Sequence, residues 1–418
     1  MQDKIIIIVI LAIIAILVTL TVGLFFASIL RRGLHDRKYR ELDRLRSRYR
    51  AMVLEALASG RISSLWIDLS APPASSAWQA VEEVLLTLMT DGKHSSETAA
   101  LFAALGYPAF YEKRLTDRNA QARAQSVNKL GKMKNSASVP LLIPLLDGQN
   151  REIASVTVRA LGNIGGNTAL GAIVDRLPHL IGNGLVAGKA LETTLLAFGP
   201  EAAPALIGRL TGDLHPHAAA IALEVLSRLP ADERTISLAA ERLGHENPEV
   251  RSKALKVLGR PEHLSSRPDL SGRIAPLLRD PVWYVRLQAI RSLSALKCAE
   301  SMAELGALVS DEKWHVRNEA ARALLLLGDC SLDFLIEALT GRDQYAKDSI
   351  CEEIESTNFH ALLIGHLAAN DDSLRDKSLR ILEIMYTLGF SIPLEEYRNS
   401  VHGAPQNGDK AEGQVTGL

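Results

Sequence analysis

Asp280-Pro281-Val282-Trp283-Tyr284-Val285-Arg286-Leu287-Gln288-Ala289-Ile290-Arg291-Ser292-Leu293 is answered 31 residues later by Asp311-Glu312-Lys313-Trp314-His315-Val316-Arg317-Asn318-Glu319-Ala320-Ala321-Arg322-Ala323-Leu324. In both stretches apolar residues recur four apart, at Val285, Ala289 and Leu293 and at Val316, Ala320 and Leu324. That spacing draws one apolar stripe along a helix. Each aspartate stands just ahead of its helix, where a carboxylate accepts from free amides and suits the positive helix end. Asn247-Pro248 and Asp371-Asp372 are placed alike.

The frame extends in both directions. Val250-Arg251 with Ala254 and Leu258-Gly259 fits it closely, and Ala122-Arg123 with Leu130-Gly131 fits it loosely. Ile153 with Leu161, Ala218 with Leu226, Ala346-Lys347 with Ile354, and Leu374-Arg375 with Leu382 also fit, Ala190 with Phe198 least well. The Leu-type markers lie 28 to 37 residues apart, which is the period of stacked supersecondary units. A first helix precedes each marked one, written most plainly in Val139-Pro140-Leu141-Leu142, Ala203-Pro204-Ala205-Leu206 and Ala275-Pro276-Leu277-Leu278. Proline is tolerated in a first turn because the amides there lack intrahelical acceptors. No stretch alternates at period two long enough for a sheet. The expectation is an all-α chain in which residues 117–400 form a solenoid of about nine helical hairpins, with boundaries poorly marked around residues 180–200.

Composition narrows function less than fold. The chain has 418 residues, 47 Lys+Arg, 48 Asp+Glu and three cysteines. Near-zero net charge gives no global pull toward nucleic acid. Cys298, Cys330 and Cys351 have no metal or disulfide spacing and are expected to be unpaired, the first two filling small apolar gaps. Charge is uneven: residues 251–300 carry ten Lys/Arg and four acids, residues 301–400 nine Lys/Arg and 18 acids. Such asymmetry can orient a partner.

The N-terminus is read by length. Ile5 to Leu30 are 26 uncharged residues, about 39 Å as a helix, which exceeds the roughly 30 Å hydrocarbon core. A cleaved signal peptide would have a shorter apolar core ending in small residues, whereas this run stops at Arg31-Arg32. The sequence therefore predicts an uncleaved transmembrane helix over residues 5–30 behind a short extracytoplasmic tip, residues 1–4. Residues 31–50 hold nine Lys/Arg, among them Arg31, Arg32, Arg37, Lys38 and Arg40, against three acids. Basic flanks stay inside, so everything after Leu30 is expected in the cytoplasm, against the inner membrane. Residues 31–116 read as a helical juxtamembrane linker or cap, with helices over Tyr39 to Leu57, Trp78 to Met89 and Glu97 to Leu105. Residues 401–418 read as a disordered tail.

The recurring D-x-x-x-x-V-R frame, with its Ala and Leu positions following, resembles HEAT repeats of the short bacterial type, over about two thirds of the chain. The anchor together with Trp283-Tyr284-Val285-Arg286 and Trp314-His315-Val316-Arg317 resembles bacterial membrane-anchored HEAT proteins. The resemblance implies a right-handed α-solenoid and a scaffold or adaptor for membrane-associated protein partners, beside envelope polysaccharide machinery in some members. It also implies that the arginine after valine pairs with an acid of its own or the next unit. Arg286 with Asp280 or Asp311, and Arg317 with Asp311 or Asp343, are the expected rungs of that ladder, to which Arg251 also belongs. Homo-oligomers are compatible with it.

Sites of chemistry are few. Trp283 and Trp314 hold equivalent positions, as do Tyr284, His315 and Tyr345, and stacking would set them along one edge. Aromatics there suit a protein partner. The tryptophans are expected to cover the turn between units, and Tyr284, His315 and Tyr345 to face outward. No phosphate loop, catalytic constellation, cofactor motif or metal set stands out: His215-x-His217 is a lone close pair. The reading is a non-catalytic scaffold. Its rivals are an enzyme or obligate enzyme subunit using a concave solenoid face, lyase-like, and a solenoid that holds nucleic acid through a basic stripe in residues 250–300.

Overall fold

The computed structural model describes the backbone of residues 2–59, 67–212, 214–260, 269–295 and 301–390. Among them no β-strand occurs. The chain forms two compact units, residues 1–190 and 191–418.

The N-terminal unit begins with one helix, α1 (Gln2–Ser59), and continues through α2 (Ser76–Asp91), α3 (Ser95–Ala104) and α4 (Tyr107–Lys113). Two hairpins follow, built from α5 (Ala120–Lys132), α6 (Val139–Leu142), α7 (Arg151–Ile164) and α8 (Asn167–Gly182). Helix α1 is continuous where the sequence suggested two helices, and residues 31–38 lie in its interior. Its distal half packs on α2, burying Leu42, Val53 and Ala56. An Arg46–Glu83 ion pair ties the two. The side chains of residues 1–16, 18 and 26–38 lie outside the described ones, and with them most of the expected membrane segment and Arg31, Arg32, Arg37 and Lys38. Among the described residues, no helix is long and apolar enough to cross a membrane. Residues 401–418 also lie outside.

Aromatic packing closes the start of the repeats. Tyr107 is buried, stacks 3.8 Å from Trp78 and donates to the Trp78 carbonyl at 2.8 Å. Leu130-Gly131, one of the sequence markers, lies where α5 crosses α7. A Cβ on Gly131 would sit 2.5 Å from the Ala160 Cα, so only glycine permits that approach.

A short helix, α9 (Gly188–Ala197), leads into the C-terminal unit. This unit contains α10 (Ala202–Leu210), α11 (Pro216–Leu226), α12 (Glu233–Glu241), α13 (Pro248–Leu258), α14 (Asp269–Ile274) and α15 (Trp283–Ala295). Then come α16 (Met302–Ala307), α17 (Trp314–Leu326), α18 (Leu332–Thr340), α19 (Gln344–Ser356), α20 (Phe359–Leu367) and α21 (Asp372–Thr387). The second helices α11, α13, α15, α17 and α19 pack one against the next in a row. The marker residues Val250, Val285, Val316, Leu258, Leu293 and Leu324 are all in the core. At Gly259 an added Cβ would come 2.5 Å from the Ser292 Oγ, the same close approach as at Gly131.

The first helices are more broken than expected. Residues 139–147 and 269–279 each start as α-helix and tighten into 3-10 turns, Ile143–Asp147 and Ala275–Arg279. Pro144 and Pro276 lie at those junctions, where an imide cannot donate to the preceding turn.

Candidate functional site

Five repeats enter their second helix by the same turn, which fixes their register. The amides of Asp117, His245, Asp280, Asp311 and Gly341 each donate to the carbonyl three residues back. Six residues on stand Arg123, Arg251, Arg286, Arg317 and Lys347. Each of these arginines folds back, its Nη1 donating to the carbonyl at the head of its own turn at 2.7–2.9 Å.

Two of them also reach the next repeat. Arg251 donates from Nε and Nη2 to both oxygens of Asp280, at 2.8 and 2.9 Å. Arg286 does the same to Asp311, at 2.7 and 2.9 Å. Each aspartate further accepts the amide two residues on, from Val282 and Lys313. One carboxylate thus caps its own turn and receives the previous arginine, which sets the register between repeats. At these two rungs the arginine pairs with the aspartate of the following repeat.

At the third rung, Arg317 does not. Asp343 is the N-cap of α19, accepting the amides of Tyr345 and Ala346. It stands two positions past the ladder site, which Gly341 occupies. Burial alone would raise the Asp343 carboxyl, but the Ser310 hydroxyl, those amides and the Arg317 charge hold it below the ordinary aspartate range. The Arg317 guanidinium lies over the Tyr345 ring, 5.1 Å from its centroid, and its buried Nε has no hydrogen-bond partner.

The aromatic positions come together as an edge along the starts of α15, α17 and α19. His315 stacks between Trp283, at 5.1 Å, and Trp314, at 3.7 Å. Tyr284 meets Trp283 edge-on at 5.8 Å. Trp314 is 58% exposed and Tyr345 69%, while Trp283 and Tyr284 are half-buried. The expected covering role of the tryptophans therefore fails at Trp314. Its indole lies along His315 instead of entering the core, because the apolar stripe begins two residues later, at Val316.

A second charge row escaped the sequence reading. Glu224 on α11 is 4% exposed, with Lys253, Lys256 and Arg228 at 3.0, 2.6 and 2.8 Å. Burial pushes its carboxyl up, but the Lys256 and Lys253 ammonium groups outweigh this and hold it at about 2. Further along the row Arg291 meets Glu319 at 2.8 Å and Arg322 meets Glu353 at 3.0 Å. The signal was a basic residue on one second helix matched by an acid about one repeat away.

Two other clusters are structural. His366 accepts or donates at 2.9 Å with the Ser378 Oγ through Nδ1 and meets Asp329 at 3.2 Å through Nε2. Ser378 is completely buried, out of reach of any substrate, so the group ties α20 to α21. His217 pairs with Glu249 at 3.2 Å, and among the described residues no group of side chains is arranged to hold a metal. Cys330 is exposed rather than gap-filling, Cys351 is buried, and Cys298 lies outside the described residues.

Comparison with known proteins agrees with this geometry. Residues 108–179 and 270–355 match the HEAT-repeat family model, one segment in each unit. Each of these two segments is similar to HEAT repeats. Comparison of the sequence with curated proteins gives no match. Among solved structures, an engineered protein is 18% identical with a TM-score of 0.37, over 78% of this chain and 98% of that one. Kap121p is 13% identical with a TM-score of 0.36, over 84% of this chain and 48% of its own. The chain thus spans about half of Kap121p.

Proposed function

We propose that this HEAT-repeat chain is a membrane-anchored scaffold that docks partner proteins on the aromatic edge of its C-terminal unit. The observation that carries the docking reading is the run of exposed rings at successive repeats, Trp314 and Tyr345 with His315 stacked between the two indoles. Surface tryptophan and tyrosine supply large contact area at low ordering cost, and they dominate protein-binding hot spots.

The anchor reading rests on the uncharged run Ile5 to Leu30 and its basic flank. Leu17, Leu20, Val22, Leu24 and Phe25 are all exposed on α1, and apolar side chains of that density call for a lipid cover. The orientation is N-terminus out with both repeat units in the cytoplasm, at the inner membrane. A tether there raises the effective concentration of any membrane-associated partner without further contacts. A protein partner is preferred over nucleic acid because, among the described cations of residues 250–300, five are held in ion pairs: Arg251 and Arg286 on aspartates, Lys253 and Lys256 on Glu224, Arg291 on Glu319. Partners beside envelope polysaccharide machinery follow from the family resemblance alone.

The test is photo-crosslinking in native membranes, with a benzophenone amino acid placed in turn at residues 314 and 345 and at the exposed control Arg228. Adducts to one protein from 314 and 345, absent from 228, are the expected result. Adducts from all three alike, or from none, would remove the aromatic edge as the docking surface.

A further inference from the structure

The open rung at Arg317 has a chemistry of its own. At the two equivalent rungs the Nε–Nη2 fork of an arginine holds both oxygens of an aspartate at 2.7–2.9 Å. A guanidinium fork matches a carboxylate in this planar, two-point way better than it matches any other biological acceptor except phosphate. At the third rung Gly341 withdraws the carboxylate, and the Arg317 Nε stays buried and unpaired. A buried donor without an acceptor costs free energy that a bound ligand regains.

Gly341 itself borders a groove. The groove, of about 450 Å³, runs between α16 and α18 and is lined by Gly306, Ser310, Phe334, Glu337, Gly341 and Arg342, among others. Arg342 stands exposed at its rim. Asp343 also borders the groove and feels the Arg317 charge, but its carboxylate is hydrogen-bonded to Ser310, Tyr345 and Ala346 and makes no ion pair with that guanidinium. The Tyr345 ring over which the Arg317 guanidinium lies is exposed, as is the Trp314 ring three residues before Arg317 in the sequence.

We propose that the open rung beside Gly341 receives an aspartate or glutamate side chain of a partner polypeptide, which pairs with Arg317 while neighbouring apolar residues of that partner lie against Trp314 and Tyr345. Rotation of the exposed Tyr345 ring uncovers the guanidinium. The partner supplies from outside the carboxylate that Asp280 and Asp311 supply from within. This rests on the aromatic-edge reading and specifies the chemistry of the segment that docks there.

The experiment uses the full chain in detergent and two sets of fluorescein-labelled decapeptides. One set carries a single glutamate among apolar residues, and the other carries glutamine in its place. Fluorescence polarisation is expected to show the glutamate set binding at least about tenfold tighter, as for a charge-assisted pair. Gly341→Asp closes the rung internally and should bring that ratio to one while raising Tm by about 2–4 °C. The added Cβ meets the Ala338 carbonyl at 3.1 Å, so Arg317→Gln serves as the second variant, with the same expected loss of preference. Equal binding of the two sets, both weakened by Trp314→Ala, would overturn the carboxylate inference and leave the aromatic edge standing. A preference that survives both Gly341→Asp and Arg317→Gln would place the carboxylate elsewhere and overturn it. Binding of neither set would overturn the inference together with the edge.

Discussion

At the residue scale, the ladder separates buried charge that is matched from charge that is not. The Arg286 and Asp311 side chains are 10% and 6% exposed, so removing Asp311 leaves the poorly solvated guanidinium only the exposed Glu312 at 3.8 Å in place of its bidentate partner. Asp311→Ala should lower unfolding free energy by about 3–5 kcal/mol, read by urea denaturation followed by circular dichroism. Glu312→Ala, one residue away and exposed, should change it by less than about 0.5 kcal/mol. Comparable losses in both variants would mean that the rung does not set inter-repeat register. Glu224 gives a pH signature. Its carboxyl is held at about 2 from an ordinary 4.5, so its contribution is complete above about pH 4.5 and is lost as pH falls toward 2. Partly exposed lysines screen the cluster, which puts the term on the order of 2 kcal/mol. Stability measured from pH 6 to pH 3 should fall more steeply in the parent chain than in Glu224→Gln. Parallel curves would show that the cluster contributes nothing to the pH dependence.

At the element scale, the pairing of helices depends on small residues as much as on the apolar stripe. Where α5 crosses α7, Gly131→Ala would drive a Cβ to 2.5 Å from the Ala160 Cα, and backbone must move to admit it. A loss of about 1–3 kcal/mol is expected, measured as a shift in the urea midpoint. Gly171→Ala on α8, where an added Cβ meets nothing within 4 Å, is the control and should be neutral or slightly stabilising. The second helices were legible in the sequence because their stripe is strict: Val, Ala and Leu four apart admit one helical phase. The first helices were legible as segments but not as geometry, since Pro144 and Pro276 turn half of two of them into 3-10 turns. The open rung was missed for a reason of register. Asp343 lies near the expected spacing from Arg317, and only the hydrogen bond from the Gly341 amide shows that the acid stands two positions late. The Glu224 cluster was hidden because its members lie about one repeat apart, on helices that no local pattern couples. Helix α1 was read as two because the charge boundary at Arg31 marks a change of solvent, and a helix crosses such a boundary without a break in hydrogen bonding.

At the scale of the whole molecule, α1 serves two environments with one secondary structure. From Leu42 onward it buries apolar residues against α2, and Arg46 pairs with Glu83, so this half belongs to the folded N-terminal unit. Before that, the described apolar side chains, Leu17 and those among residues 19–25, are exposed. The two halves should therefore be separable by experiment. Replacing residues 5–30 with a flexible Gly/Ser segment removes the apolar run and leaves every described buried contact in place. The altered chain should be released from membranes by carbonate extraction, while the urea midpoint of its repeat units stays within about 0.2 M of the parent's. Val53→Asp should do the reverse. A carboxylate forced into the α1–α2 contact, where Val53 is fully buried, should lower the unfolding midpoint and leave the chain in the membrane fraction. Release of Val53→Asp with retention of the replaced chain would assign membrane attachment to the repeats rather than to α1. The continuity of the helix adds a mechanical consequence. With no break in the helix between Leu30 and Leu42, the first buried contact among the described residues stands about 18 Å along the helix from the end of the apolar run. Inserting seven helix-forming residues after Arg40 would add about two turns and about 10 Å while keeping the rotational phase nearly unchanged. If partners are held at the membrane surface, their crosslinking to residue 314 should drop with that insertion while thermal stability holds. Unchanged crosslinking would show that partners reach the aromatic edge from solution, independent of its distance from the bilayer.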